Sequence, residues 1–308
     1  MVQALRKEDG SALISARVSA LLRGCSLEVT AKPRAIAAAS AALLPKGTSV
    51  YITALPDDTP DAMIAAATQL RQAGLEPVPH LGARYFADRA SLDACLARLA
   101  DEARVQQVLA IGGDIERPRG IFQSSRDLIA TGLLERHGIA RVGIAGYPEG
   151  HPRIASALLE AERAAKIASL QARGIAPYVV TQFCFDAAPL KDFLARHGAC
   201  FGDVPVHVGL AGPAKVATLL KYAASCGIGA SLRAVKRNVS MTRLLHDRGP
   251  EPVIAALAQD EAAASHIARL HFFTFGGFER TARWAQAIAA GAFSLDQDGT
   301  GFSVTEAR

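Results

Sequence analysis

Short apolar, β-branched runs alternate along the chain with longer stretches whose apolar residues recur at helical spacing. The short runs predict eight strands, at residues 26–30, 49–54, 76–81, 107–112, 141–147, 178–185, 205–210 and 270–275. The longer stretches predict helices near residues 35–43, 60–73, 91–103, 124–136, 155–173, 189–197, 213–225 and 279–290. Glycines mark the expected ends of five of these helices, at Gly74, Gly138, Gly174, Gly198 and Gly227.

This alternation favours an α/β fold. Strands such as 107–112 are nearly all apolar, as expected for a parallel sheet covered by helices on both faces. Eight strands, each followed by a helix, predict a (β/α)₈ TIM barrel. A doubly wound sheet is the alternative, but the turn after the first strand reads Ala31-Lys32-Pro33-Arg34 and lacks a glycine-rich phosphate loop.

Two segments lie outside the eightfold pattern. Residues 1–24 predict an extra N-terminal helix. Residues 227–267 predict a helical insertion before the last strand, with helical texture at 235–245 and 252–269 and no strand. Because no linker rich in Ser, Gly or Pro is found, we expect residues 1–308 to form a single domain.

Composition excludes several classes of protein. Half of the residues are hydrophobic and a fifth are charged, which excludes low-hydrophobicity disorder. The net charge of +5 is scattered, so no nucleic-acid partner is predicted. The five cysteines form no C-x-x-C pair, which is typical of reduced thiols. The charged start of the chain and the short apolar runs lead us to expect a cytoplasmic protein without a membrane partner.

A carboxylate in the first predicted strand is the first candidate for chemistry. Alternation directs Leu27 and Val29 toward the helices and Glu28 into the barrel. Burial there would raise the pKa of Glu28, as a general acid requires. The alternative is a structural glutamate in an internal salt bridge.

Other polar residues stand where strands of the predicted barrel end, which is where such folds place their active sites. Asp114 follows two glycines that would let a ligand approach the backbone closely. Gln182 lies within the apolar strand predicted at 178–185 and offers an amide suited to the edge of a pterin-like ring. His80 and His151 lie near the ends of the third and fifth strands. A metal site is not predicted there, because the sequence offers no third ligand at a suitable spacing. Each of these residues also has a purely structural interpretation.

Together these segments resemble the methylenetetrahydrofolate reductase family. Five blocks carry the likeness: residues 26–32, Pro79-His80-Leu81, Ile111-Gly112-Gly113-Asp114, residues 145–152, and residues 180–186. A weaker sixth block is residues 270–275. The Tyr-Pro-Glu-x-His-Pro and Thr-Gln-Phe-x-Phe-Asp patterns within them are the most specific.

The resemblance implies a (β/α)₈ flavoprotein that uses FAD and NADH or NADPH to reduce 5,10-methylenetetrahydrofolate to 5-methyltetrahydrofolate. It implies an oxidoreductase of one-carbon metabolism and methionine biosynthesis that forms a homo-oligomer. Glu28 matches the catalytic acid, Asp114 the carboxylate near the flavin, and Gln182 a substrate contact. The matching cofactor-binding positions, besides Asp114, are Thr53, His80, Gly112, Gly113, Ala145, Tyr147, His151, Arg163 and Lys166.

The chain departs from the family pattern at three points. Gly112 replaces a basic residue, Ile167 replaces the second of two basic residues near Arg163 and Lys166, and Gly276-Gly277 replaces an Asn-Arg pair. These departures keep three alternatives open: a flavin-free reductase, a catabolic one-carbon enzyme, or a non-catalytic folate-binding protein.

Overall fold

The computed structural model describes residues 2–226 and 247–305. Eight parallel strands form a closed barrel, which confirms the predicted (β/α)₈ fold. These strands are β1 Ser26–Thr30, β2 Ser49–Thr53, β3 Glu76–Gly82, β4 Gln107–Ile111, β5 Arg141–Gly146, β6 Ala176–Thr181, β7 Val206–Ala211 and β10 Ile267–Phe273. Around the barrel their order is β1-β10-β7-β6-β5-β4-β3-β2.

Most of the helices lie where the periodicity predicts them. They are α1 Val2–Leu22, α2 Pro33–Ser40, α3 Pro60–Gln72, α4 Arg89–Ala103, α5 Ser125–Ala130, α6 Leu133–Arg136, α7 Ser156–Ala172, α8 Ala187–Phe201, α9 Val216–Ser225, α10 Glu251–Gln259, α11 Glu261–Ser265 and α12 Phe278–Ala289. Short polar side chains cap several of them; the Asp88 carboxylate, for example, accepts the Ser91 N–H at 2.7 Å. No helix in the described part of the chain has the length and apolar character needed to cross a membrane.

The chain divides into two compact units. One comprises the segment up to Cys25 together with the segment from Gln182 onward, and the other is Ser26–Thr181. In the unit Ser26–Thr181, one cluster of buried core residues comprises Tyr51, Val78, Leu109, Tyr178 and Val180. In the other unit, Phe183, Ala211, Ala214 and Leu219 form an equivalent cluster. The expectation of a single domain stays a prediction.

The predicted segments outside the eightfold pattern are found where the structure describes them. The extra N-terminal helix is α1, and its Ser19 hydroxyl donates to the Ile288 carbonyl of α12 at 3.0 Å. The stretch predicted as helical at 252–269 contains α10 and α11, but its last residues, 267–269, belong to β10, which begins earlier than predicted. The predicted helix at 235–245 lies outside the described residues, as does Gly227.

Some predicted elements were wrong. The predicted helix at 124–136 is two helices, because Gly132 takes a φ of +75° between them. Gly198 does not end α8, which continues to Phe201; it is glycine because a Cβ there would lie 2.4 Å from the His266 ring. The insertion contains a short strand, β9 Asp247–Arg248, which pairs with β8 Ala214–Lys215. An antiparallel hairpin, β11 Phe293–Leu295 with β12 Phe302–Val304, was not predicted.

Candidate functional site

Three neighbouring strands bring Glu28, Thr53 and His80 together. Cα register pairs Glu28 with Tyr51 and Thr30 with Thr53, so Glu28 and Thr53 share one face of the sheet. The Thr53 hydroxyl donates to Glu28 Oε1 at 2.6 Å, and His80 Nε2 lies 3.5 Å from Glu28 Oε2. The side chain of Glu28 is 12% exposed and that of His80 is 7% exposed. The carboxylate is therefore enclosed but held by polar partners, as a buried charge requires.

Asp114 lies in a different environment. It follows β4 and its side chain is exposed to solvent. Its backbone N–H donates to the hydroxyl of Tyr85 at 2.9 Å. The preceding Gly113 has a φ of +96°, a conformation that favours glycine.

One cleft is lined both by residues that contact Glu28 and by a residue that contacts Asp114. It has a volume of about 430 Å³, including space open to solvent, and all of its lining residues belong to the unit Ser26–Thr181. Thr53 and His80 contribute from the Glu28 side, and Tyr85 from the Asp114 side. The remaining lining residues are Ala54, Leu55, Asp58, Thr59, Pro60, Met63, Gly82, Phe86 and Arg119.

An aromatic pair follows β5. The rings of Tyr147 and His151 meet edge to face with centroids 5.2 Å apart. Burial raises the pKa of Tyr147, and the negative charge of Asp114 raises it further. Burial and the nearby Arg153 lower the pKa of His151, whereas Asp114 opposes that shift. The His151 imidazole is therefore mainly neutral at neutral pH, and Asp114 acts electrostatically on both rings.

Helix α7 carries the two predicted basic residues. Arg163 is buried, and the Lys166 amine is 3.9 Å from the carboxylate of Glu162. Burial lowers the pKa of Lys166, although Glu162 opposes the shift. Arg126 also pairs with Glu162, at 3.1 Å. The predicted position Ala145 is half-buried in β5.

The prediction that Gln182 lies within a strand was wrong. Strand β6 ends at Thr181, one residue earlier, and Gln182 begins the following loop. The Gln182 side-chain oxygen accepts the N–H of Phe183 at 3.0 Å, so the amide turns back on its own backbone. Gln182 belongs to a different compact unit from the other predicted residues.

The predicted site residues did not include Arg84, Tyr85 and Arg119. Tyr85 supports Asp114, Arg84 bonds the loop after β4, and Arg119 places its guanidinium 5.7 Å from the centre of the Tyr85 ring. The signal available was position alone, because Arg84 and Tyr85 follow a barrel strand directly. Within residues 2–226 and 247–305, no three His, Cys, Asp or Glu side chains cluster so that they could hold a metal ion.

Comparison with models of known protein families identifies a related family. A family model described as methylenetetrahydrofolate reductase matches residues 34–281, which is most of the chain. The match begins shortly after β1, so Glu28 lies just before it. The chain therefore belongs to the methylenetetrahydrofolate reductase family, which is generally flavin-dependent and implies an oxidoreductase acting on folate in one-carbon metabolism.

Proposed function

We propose that the protein reduces 5,10-methylenetetrahydrofolate to 5-methyltetrahydrofolate, with NADH or NADPH as the electron donor and FAD as the cofactor. Membership of the family supports the reaction class. The observation that carries the proposal is the setting of Glu28, a nearly enclosed carboxyl group held by Thr53 at 2.6 Å beside a cleft that opens to solvent. A carboxyl group in such a setting suits a general acid.

The substrate contains a five-membered ring that must open during the reduction. Glu28 donates a proton to one ring nitrogen, the bond from that nitrogen to the bridging carbon breaks, and an iminium cation remains. This carbon then accepts a hydride, which completes the methyl group. The carboxylate of Asp114 stabilises the positive charge of the cation electrostatically.

The residues present fit FAD. Gly112 leaves open the space that a side chain would fill, since nothing lies within 4 Å of a Cβ built there. Together with Gly113, it offers bare backbone for the approach of a flat ring. Thr53, His80, Ala145, Tyr147 and His151 would hold the flavin, while Arg163 and Lys166 would offer positive charge to the pyrophosphate. When bound, FAD would supply the hydride-transfer chemistry that links the nicotinamide to the folate.

The test combines a spectrum with a substitution. The purified protein should show a flavin absorption band that NADH or NADPH bleaches under anaerobic conditions and that methylenetetrahydrofolate restores. Glu28→Gln should lower folate reduction by about 10²–10⁴-fold while leaving folate binding intact, because the amide keeps the shape but carries no acidic proton. Glu102→Gln, at a surface position on α4, is the control and should keep full activity.

The alternatives give different results. A colourless protein that takes up no added FAD but still reduces the folate would contradict the proposed cofactor and favour a flavin-free reductase. A protein that binds folate, with neither turnover nor any effect of Glu28→Gln, would be a non-catalytic folate-binding protein.

A further inference from the structure

We infer that Tyr85 and Arg84 are positioning residues that fix the direction of the Asp114 carboxylate. The inference rests on the proposed function, in which Asp114 stabilises the substrate cation. It extends that function to two residues that touch the loop and not the reacting atoms. Asp114 lies in the Asp114 loop, defined as residues 112–124 between β4 and α5.

The side chain of Tyr85 holds the backbone amide of Asp114. The residue lies at the end of a single 3₁₀ turn, Ala83–Tyr85, that follows β3 directly. Its hydroxyl accepts the Asp114 N–H at 2.9 Å. Because the amide nitrogen and Cβ are both bonded to Cα, holding the amide in place fixes the point from which the side chain leaves the backbone and so narrows the region that the carboxylate can occupy. Burial raises the pKa of Tyr85, so its hydroxyl stays protonated at neutral pH.

Two glycines make room for the Tyr85 ring. A Cβ on Gly82 would lie 2.4 Å from the ring, and a Cβ on Gly113 would lie 3.1 Å from it. Strands β3 and β4 pair Gly82 with Ile111, which brings the two glycines to the same end of the sheet. The ring therefore contacts the backbone on both sides, and any other residue at Gly82 would displace it.

Arg84 secures the Asp114 loop at both ends. Its backbone N–H donates to the Gly112 carbonyl at 2.9 Å, and its own carbonyl accepts the Arg119 N–H at 2.9 Å. Its guanidinium donates to the Ile115 carbonyl at 3.2 Å and to the Gln123 carbonyl at 2.8 Å. One side chain thus satisfies carbonyls that are eight residues apart in a segment without regular structure.

Arg119 completes the arrangement. Its guanidinium lies 5.7 Å from the centre of the Tyr85 ring and also donates to the Pro56 carbonyl in the loop after β2. The Asp114 loop is therefore held against the ends of both β2 and β3. Such support preorganises a charged group, so little reorganisation remains for the moment of reaction.

A double-mutant cycle tests whether Tyr85 acts through Asp114. Tyr85→Phe keeps the ring and removes the hydroxyl, so kcat should fall about tenfold while KM for the folate stays within about twofold. In an Asp114→Asn background, the same substitution should cause no further loss, because no carboxylate remains to be positioned. Equal losses in both backgrounds, or no loss in the wild-type background, would overturn the inference.

Amide hydrogen exchange in the protein without added ligands provides a second readout. Tyr85→Phe should speed exchange at the Asp114 amide about tenfold, and Arg84→Met should speed it across residues 115–123. Tyr178→Phe is the matched control: it removes a hydroxyl that donates to the Val108 carbonyl in the core, and it should leave exchange in the Asp114 loop unchanged. Unaltered exchange in Tyr85→Phe would also overturn the inference.

The two readouts separate failure of the inference from failure of the proposed function. If Asp114→Asn keeps full turnover, the proposed role of Asp114 is wrong, whatever Tyr85 does. If Asp114→Asn is impaired but Tyr85→Phe changes neither kcat nor exchange, the role of Asp114 stands and the positioning by Tyr85 is wrong.

Discussion

Glu28 and Asp114 carry the same functional group in unlike surroundings. Glu28 is enclosed and accepts a hydrogen bond from Thr53, whereas Asp114 is exposed and donates its backbone N–H to Tyr85. Enzymes separate the roles of two carboxyl groups by such differences in environment. The enclosed group suits proton donation and the exposed group suits stabilisation of a positive charge.

Thr53 provides a direct test of the enclosed group. Thr53→Val removes the hydroxyl 2.6 Å from Glu28 Oε1 while preserving the branched shape. We expect kcat for folate reduction to fall about tenfold, since the carboxyl group loses the donor that orients it. Thr53→Ser retains a hydroxyl and should recover most of the activity. Steady-state kinetics of both variants check this, and equal activity of the Val and Ser variants would contradict it.

At the level of single residues, the alternation of side chains along a strand is informative. It predicted that Glu28 faces the barrel interior, and in the structure the carboxylate of Glu28 lies beside Thr53 and His80. Tyr85 could not be found in this way. Its role arises only when β3 and β4 pair and bring Gly82 and Gly113 against one ring, which is a tertiary arrangement that no local pattern encodes.

Among the elements of the fold, glycines in and after strands serve two different purposes. A Cβ on Gly143, in β5, would lie 2.6 Å from Tyr178 and 2.8 Å from Leu109. Glycine at this position therefore allows these two side chains to pack against the strand. Gly112, directly after β4, faces open space instead. Packing explains the first glycine, and the approach of a ligand is our interpretation of the second.

Alanine at each position distinguishes these purposes. Gly143→Ala should destabilise the protein by about 1–3 kcal/mol through overpacking. Gly112→Ala should leave the free energy of unfolding nearly unchanged and weaken FAD binding, because its methyl group would occupy the space that the flavin needs. Denaturant unfolding and FAD titration of both variants measure this. Normal FAD affinity in Gly112→Ala would place the flavin elsewhere.

The elements themselves were largely predictable. Seven of the eight barrel strands end within two residues of their predicted positions, because buried parallel strands are marked by continuous apolar runs. The exception is β6, where the apolar run continues to Phe185 but the Gln182 side chain takes the Phe183 N–H and ends the strand at Thr181. The apolar residues beyond that point, Phe183 and Phe185, pack in a separate cluster. Hydropathy alone does not distinguish such residues from the continuation of a strand.

Net charge is a property of the whole molecule that affects which ligands approach it. The chain carries a net charge of +5, with a sequence pI of about 9.1. A modest positive field favours the approach of anionic ligands, and both the proposed folate and the dinucleotides are anionic. Individual ionisable groups also make the free energy of unfolding depend on pH. Glu251 is one such group.

Glu251 lies at the start of α10 and accepts a hydrogen bond from the Trp284 indole at 2.8 Å. Burial raises its pKa, although the Trp284 hydrogen bond and the charge of Arg248 oppose the shift. The folded protein therefore binds this proton more tightly than the unfolded chain. As a consequence, the contribution of Glu251 to stability falls as pH rises from the unfolded pKa through the folded pKa.

Glu251→Gln removes this titration and keeps an acceptor for Trp284. The variant should melt slightly above the wild-type protein at neutral pH, by about 1–4 °C, and the difference should vanish as pH falls toward about 4, where wild-type Glu251 is protonated too. Thermal unfolding at several pH values measures the difference, with the exposed Glu279→Gln as control. A variant that melts lower at neutral pH would mean that the ionised carboxylate gains more from Trp284 and Arg248 than it loses by burial.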